Sequence, residues 1–277
     1  MRHWHATGII LSANDSRDDK VIRLLLETDE LVPAIARHGR RARGKSSKAS
    51  QLQPLSTVSV ALRARGEADV TWDSAAETSR ELALVERIEL THAYPAIKAD
   101  LERFALASAM CEGVLHLVPD WGVEDGLFAL VERALGHLER PREGRNAADQ
   151  HQERPREGRN AADQHQERSS EALAGRDLLA LFYVRLLDRA GLLPASDELA
   201  QLSPPAGPPL SLAAAETLAL WREGRWRPLP PEASASTLAL LAQILTHASG
   251  RPLLSLALVA DVLALPPTRP PPSRDPI

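Results

Sequence analysis

Residues 56–65 read STVSVALRAR, and this stretch decides how the first part of the chain folds. Val58, Val60 and Leu62 alternate with smaller, polar or charged residues. Because successive side chains of a strand point to opposite faces of a sheet, the pattern predicts a strand with one buried face. A Gly-Glu pair then predicts a turn into a second strand over residues 68–75, which completes a hairpin.

Three further apolar runs precede this hairpin, and acidic or amide residues separate them. The runs cover residues 7–12, 20–28 and 31–37. Together with the hairpin they predict five short strands within the first 80 residues. Five strands at this spacing are typical of a small barrel of the OB type.

From residue 79 onward the apolar residues recur every three or four positions, which predicts helices rather than strands. In the first predicted helix, Leu101, Phe104, Cys111 and Leu115 form one apolar stripe. The predicted helices cover residues 95–117, 123–138, 175–190, 212–222, 233–248 and 254–264. The second part of the chain is therefore predicted to be a helical domain.

Two segments are predicted to lie outside the folded core. Residues 139–152 read ERPREGRNAADQHQ, and residues 153–166 repeat the same letters, which have no apolar stripe to bury. Residues 266–277 contain six prolines and predict a disordered tail. We therefore predict a multi-domain α+β protein. Its parts are a five-stranded OB-fold β-barrel over residues 1–80, an all-α domain over residues 81–265 that is interrupted by a disordered insertion at residues 139–168, and the tail.

The composition is that of an ordinary globular protein. Hydrophobic residues make up 44% and charged residues 25% of the 277 residues, which excludes collagen-like and wholly disordered classes. The single cysteine, Cys111, cannot form an internal disulfide, so we expect a reducing compartment. No stretch has the length and composition of a signal peptide or a membrane span, which predicts a cytoplasmic protein without membrane contact.

The formal net charge of −4 hides an asymmetry between the two parts of the chain. Residues 1–80 carry 13 Lys+Arg against 10 Asp+Glu, whereas residues 81–277 carry 20 against 27. The basic part contains residues 37–48, the cationic tract, in which there is no acid. Beside a barrel rim such a tract makes a positive groove that follows a nucleic-acid backbone; a solvated loop is the alternative.

The candidate DNA-binding residues are the charged residues and the histidine of the cationic tract, together with two arginines on the polar face of the 56–65 strand. They are Arg37, His38, Arg40, Arg41, Arg43, Lys45, Lys48, Arg63 and Arg65. Trp4 and Trp72 are the large aromatic residues of the β region. Either could stack on a base, and core packing is the alternative role.

Residues 39–46, GRRARGKS, also match the phosphate-binding template G-x-x-x-x-G-K-[ST]. A true P-loop needs a helix that starts at Lys45 within a βαβ unit, whereas Pro54 follows closely and no amphipathic period lies between them. A P-loop NTPase therefore stays an alternative. Since the chain has no zinc-ligand spacing, nucleophile elbow or H-E-x-x-H motif, we otherwise predict a protein that is not an enzyme and uses no metal or cofactor.

Several segments, taken in chain order, carry a resemblance to a known family. In the β region they are GIIL at residues 8–11, DDKVIRLL at 18–25, ARHGRR at 36–41 followed by Lys45-Ser46, and LQPL at 52–55. In the helical region they are DLERFALA at residues 100–107, LLDRAGLLP at 186–194 and HASGRPLLS at 247–255. These segments resemble the RecO family of DNA-repair recombination mediators, and the ARHGRR…LQPL match is the most specific.

The resemblance implies an N-terminal OB-fold, binding to single- and double-stranded DNA, and annealing of complementary strands near the nucleoid. It also implies two partners, a RecR-type ring protein and the C-terminal tail of single-stranded-DNA-binding protein, which is displaced so that recombinase loads. For that acidic and apolar tail we expect a pocket with a basic rim on the helical domain. Arg176, Arg185 and Arg189 are the candidates for this rim. A helical adaptor without DNA contact is the alternative.

The chain departs from the family after the LLDRAGLLP segment. Many members carry a four-cysteine zinc module there, whereas residues 195–207 read ASDELAQLSPPAG, with neither cysteine nor histidine. We therefore expect a member without a zinc finger.

Overall fold

A computed structural model describes residues 2–37, 52–64, 82–140, 161–199, 201–202 and 210–264 of the chain. The strands come first: β1 (Arg2–Ser16), β2 (Asp19–Leu26), β3 (Leu31–Ala36), β4 (Ser56–Ala64) and β5 (Ala83–His92). The helices follow: α1 (Pro95–Ala99), α2 (Leu101–Leu117), α3 (Leu127–Glu139), α4 (Ala161–Arg189), α5 (Ser196–Leu199), α6 (Leu212–Arg222), α7 (Pro231–Ser249) and α8 (Ser255–Ala264). Strands followed by helices confirm the predicted α+β class.

The five strands pair in the closed order β1-β2-β3-β5-β4 and form a barrel. All neighbours are antiparallel except β3 and β5, which run parallel where Ala34 pairs with Ala83. The long strand β1 closes the barrel because it pairs with both β2 and β4. Its first half, up to Ile10, pairs with β4, and its second half, from Gly8, pairs with β2.

Strands β1 and β2 bury residues on both of their faces. Ile10, Leu24 and Val58 belong to a core inside the barrel. Ile9 and Leu25, the sequence neighbours of the first two, belong instead to a second core that the strands share with the helices. Fully burying one such side chain contributes about 1.5–3 kcal/mol, so the contact between barrel and helices is a large part of the fold's stability.

Helix α2 is the centre of the helical half, and α1, α3, α4, α7 and α8 all contact it. Ala109 and Met110 of this helix are fully buried. A close approach to α4 occurs at Gly113, where a Cβ would lie 2.9 Å from Cε1 of Tyr183. The Tyr183 hydroxyl donates to the Ala109 carbonyl at 3.0 Å, so α2 and α4 are joined by packing and by a buried hydrogen bond.

Asp29, in the turn between β2 and β3, attaches the barrel to α3. Its carboxylate accepts hydrogen bonds from the backbone N–H groups of Gly126 (2.7 Å) and Phe128 (2.8 Å), at the start of that helix. Beside it, Leu31 exchanges backbone hydrogen bonds with Trp121 and Gly122. The carboxylate therefore acts as an N-cap supplied by another part of the chain.

A second attachment joins β4 to α1. The hydroxyls of Thr57 and Tyr94 share a buried hydrogen bond of 3.0 Å, and the Lys98 ammonium donates to the Ser56 hydroxyl at 2.8 Å. The carboxylate of Glu139, at the end of α3, accepts from two backbone N–H groups at the start of α1. Barrel, α1 and α3 are thus held together by polar contacts as well as by the shared core.

The fifth strand of the described barrel, β5, is not one of the five strands that the sequence predicted. The predicted strand over residues 68–75 falls outside the described residues, and β5 covers Ala83–His92, beyond the predicted domain limit at residue 80. Val85 and Ile88 are both buried because a bulge opposite Ala61–Leu62 shifts the pairing register between them. A buried spacing of three residues resembles a helical period, which explains why this segment was predicted as helical.

The predicted helices are present, with three corrections. The 95–117 helix is divided at Asp100, whose carboxylate accepts from the Arg103 N–H and begins α2. Leu101 and Phe104, predicted on its buried stripe, are 56% and 38% exposed. Helix α4 begins at Ala161, inside the insertion predicted to be disordered. Its first turns contain Ala, Gln, Glu and Arg, which favour helix, and they extend a packed segment.

We expect Asp29→Ala to lower the free energy of unfolding by about 1–2 kcal/mol, because two helix N–H groups lose their acceptor. Urea denaturation followed by circular dichroism measures this change. The exposed carboxylate of Asp15 provides the control, since Asp15→Ala should change stability by less than about 0.5 kcal/mol. Equal effects of the two substitutions would contradict the capping role.

Cys111 should be chemically inert in the folded protein. The side chain is 2% exposed, and burial raises the pKa of the thiol to about 12, so almost no thiolate exists at pH 8. We expect a thiol reagent to modify it only after denaturation, whereas an Asp15→Cys variant should react at once at its added site. Native labelling of Cys111 as fast as that of the added cysteine would show this prediction to be wrong.

Candidate nucleic-acid interface

The structure describes two of the nine predicted DNA-binding residues, Arg37 and Arg63. Arg37 follows the last residue of β3 and is exposed, and Arg63 lies near the end of β4. The other predicted residues, His38, Arg40, Arg41, Arg43, Lys45, Lys48 and Arg65, lie outside the described residues. The structure does describe the chain on either side of residues 38–51.

The described residues on either side of residues 38–51 lie beside Lys20, at one end of the barrel. Ala36, next to Arg37, is paired in register with Lys20. Where the described chain resumes, Leu52 is fully buried in the barrel core and its carbonyl accepts from the Lys20 ammonium at 3.0 Å. Lys20 therefore contacts the described chain on both sides of residues 38–51, and it adds a cation there.

The chain that follows the tract is extended. Residues 52–55 are not helical, and β4 begins at Ser56 as an antiparallel strand. In a P-loop, by contrast, the lysine opens a helix that lies between two parallel strands. A helix that starts at Lys45 would have to end before Leu52, and an antiparallel strand would follow it.

Arg63 is engaged by an acid that the sequence analysis did not associate with it. Its Nε lies 3.4 Å from one carboxylate oxygen of Glu86, and the other oxygen lies 3.3 Å from Nδ1 of His3. All three side chains are partly exposed, so the ion pair contributes little to stability. Arg63 would have to exchange this carboxylate for a phosphate in order to contact DNA.

Trp4 packs against the barrel core. It is partly buried, and its ring lies 6.5 Å from that of Trp121, which comes from the loop before α3. Of the two roles considered for Trp4, this position favours packing. Trp72 lies outside the described residues.

A cavity of about 220 Å³ lies between α3 and α4. Its apolar lining residues are Leu130, Ala134, Leu178, Leu181 and Phe182. Its basic lining residues are Arg133, His137, Arg185 and Arg189, and no carboxylate is among the described residues that line it. We call this site the basic-rimmed cavity.

Two of the three predicted rim residues, Arg185 and Arg189, line this cavity, whereas Arg176 does not. Arg133 and His137 were missed, although their spacing of four residues puts them on one face of α3. Arg189 is held by a hydrogen bond to the Asp125 carbonyl, and Arg185 donates to the Arg222 carbonyl at 3.5 Å. The positions of these two guanidinium groups are thus fixed by backbone partners.

The described residues contain no group of three or more His, Cys, Asp or Glu side chains that could hold a metal ion. Within the same residues, no helix is both long enough and apolar enough to cross a membrane.

The strands, the helices and the basic-rimmed cavity describe an α+β protein with a basic site between two of its helices. Curated proteins with similar sequences share one name. The chain is 27% identical to the DNA repair protein RecO of Desulforudis audaxviator over 144 residues, 52% of each chain. It is 29% identical to RecO of Anaeromyxobacter dehalogenans over 134 residues (48% of this chain, 47% of the relative), and 24% identical to RecO of Syntrophobacter fumaroxidans over 149 residues (53% of each).

The chain is similar to these curated proteins named DNA repair protein RecO, at 24–29% identity over about half of its length. It spans about half the length of the curated relatives it matches. No family model matches the chain.

Proposed function

We propose that this protein is a DNA-binding recombination mediator. It binds single- and double-stranded DNA, anneals complementary strands, and helps to load recombinase onto DNA that is covered by single-stranded-DNA-binding protein. The observation that carries the proposal is that the described chain on either side of residues 38–51, which include all but the first residue of the acid-free cationic tract, lies beside Lys20 at one end of the barrel. The similarity to curated proteins named DNA repair protein RecO supports it.

The barrel itself is proposed to be an OB-fold. Its five strands close in a non-sequential order, in which the parallel β3–β5 pair follows antiparallel neighbours. This agrees with the five-stranded Greek-key barrel that binds oligonucleotides across its face and loops. Single strands lying on such a barrel pass the end from which the cationic tract extends.

The proposed activity requires no covalent chemistry, and we therefore propose that the protein is not an enzyme and needs no cofactor. Two DNA strands repel each other through their phosphates. Six cations in the tract neutralise part of that charge, while base pairing between the strands supplies the selectivity. Arginine suits this task because its guanidinium binds a phosphate through two parallel hydrogen bonds.

The basic-rimmed cavity is proposed to bind the tail of single-stranded-DNA-binding protein. An acidic peptide with an apolar C-terminal end would place its apolar side chains against Leu178 and Phe182 and its carboxylates against Arg133 and Arg185. A RecR-type ring protein is proposed as a second partner. Both interactions place the protein at the nucleoid in the cytoplasm.

The triple substitution Arg40→Glu, Arg41→Glu and Arg43→Glu should abolish tight binding to all DNA sequences alike, because phosphate contacts carry no sequence information. Fluorescence anisotropy with labelled single-stranded DNA at several salt concentrations measures this. For the unaltered chain, log K against log salt should have a slope of about −4 if six phosphates are contacted. The control changes the net charge equally elsewhere, at Arg251, Arg269 and Arg274.

Unchanged affinity of the tract variant would contradict the proposal. The same preparations also test the alternative enzyme. If the unaltered chain hydrolyses ATP and Lys45→Ala does not, the protein is a P-loop NTPase. If the unaltered chain shows no salt-dependent DNA binding, the protein is a helical adaptor.

The cavity is tested with a labelled synthetic peptide, three aspartates followed by Leu-Phe with a free carboxylate. Arg133→Glu should weaken its binding at least about tenfold, since a charge-assisted contact is replaced by repulsion. Arg176→Glu is the matched control on the neighbouring helix, because Arg176 does not line the cavity. Equal losses in the two variants, measured by anisotropy, would indicate a general charge effect and not a site.

A further inference from the structure

An exposed tryptophan lies in the loop that follows α6, residues 223–230. Trp226 is 58% exposed, so much of its apolar ring faces water. Neither the barrel contacts nor the basic-rimmed cavity involves this residue. A large aromatic side chain held at the surface in this way is suited to bind a ligand with a flat apolar face.

The ring of Trp226 is held in place from one side. It stacks on Trp221, with ring centroids 5.3 Å apart and planes 3° apart, and Trp221 is fully buried at the end of α6. The Trp221 Nε1–H donates to the Arg227 carbonyl at 2.8 Å, which ties the loop to the helix just beyond Trp226. On the N-terminal side of Trp226 in the chain, the backbone N–H of Arg225 donates to the Leu220 carbonyl at 2.8 Å. One face of the indole is therefore covered, and the exposed fraction belongs mainly to the opposite face.

Positively charged residues lie beside Trp226 in this loop. Arg225 and Arg227 flank the tryptophan in sequence, and both are exposed. Gly224, the residue before Arg225, lies close to α4. A Cβ built on Gly224 would be 3.5 Å from Nη2 of Arg185. The acid in this loop, Glu223, lies 3.6 Å from Arg225 in an exposed ion pair, which water and salt weaken.

We propose that this loop is a second contact for single-stranded nucleic acid, on the helical half of the protein. One base stacks on the open face of Trp226, and the adjacent phosphates bind Arg225 and Arg227. The inference rests on the proposed function, because it extends the path of the same strand. A nucleic acid would use both parts of this surface, because its flat bases stack on an exposed indole and its phosphates bind arginine. An apolar peptide would use only the indole.

The stacking contact is tested by anisotropy with labelled oligothymidylate. Trp226→Ala should weaken binding about tenfold, the size expected when one base–aromatic stack is lost. Trp226→Phe keeps an aromatic face and should retain most of the affinity. Leu254→Ala removes an even more exposed apolar side chain elsewhere on the helical half, and should bind as the unaltered chain does.

The phosphate contacts have a different signature. The double variant Arg225→Gln and Arg227→Gln should reduce the slope of log K against log salt by about 1.4, since each single-strand phosphate contact contributes about 0.7. Trp226→Ala should leave that slope unchanged, because a stacked base releases no counterion. Circular dichroism and thermal unfolding of each variant confirm that the fold is intact.

The results separate this inference from the proposed function. If the Arg40, Arg41 and Arg43 variant loses DNA while Trp226→Ala binds normally, the loop is not a contact and only the present inference is wrong. If the unaltered chain binds no single-stranded DNA, both fail. If Trp226→Ala binds normally and deletion of residues 265–277 shifts the tryptophan fluorescence, the ring holds the chain's own proline-rich tail, and the inference is overturned.

Discussion

The outward-facing apolar side chains of the barrel must be covered, and the rest of the structure depends on this constraint. Neighbouring residues of β1 and β2, such as Ile9 and Ile10 or Leu24 and Leu25, point alternately to the inside and the outside of the barrel, and all four are buried. A barrel of this composition alone in water would expose its outer row. The helices around α2 provide the cover, so the two halves form one folded unit.

That cover also decides which parts of the barrel remain available. The turn between β2 and β3 is occupied, because Asp29 caps α3 and Leu31 pairs with the loop before that helix. Strand β3 ends at Ala36, at its end opposite to that turn, and the described chain resumes at Leu52. Four residues later, Ser56 and Thr57 attach β4 to α1, so the helical half also anchors the barrel close to this point.

Much of the architecture could be predicted because its signals are local. The alternation of Val58, Val60 and Leu62 identified β4, and the 3.6-residue period identified the 212–222 helix at its observed limits. The fifth strand could not be found in this way. Its buried residues Val85 and Ile88 are spaced by a bulge, and a bulge exists only in relation to the neighbouring strand. The same holds for the charged residues. The acid-free tract could be read from the sequence, whereas the ion pair of Arg63 with Glu86 exists only because β4 and β5 lie side by side.

The sequence by itself determined the α+β class, the position of the basic tract and the likeness to a DNA-repair family, because these follow from residue types and their order. Only the tertiary structure decided that α3 and α4 enclose a basic-rimmed cavity, and that Trp226 rests on Trp221 with its other face open. Enclosure and exposure depend on which surfaces are brought together in space. A sequence pattern shows that a side chain is apolar or charged, and packing determines whether it fills a core or faces a partner.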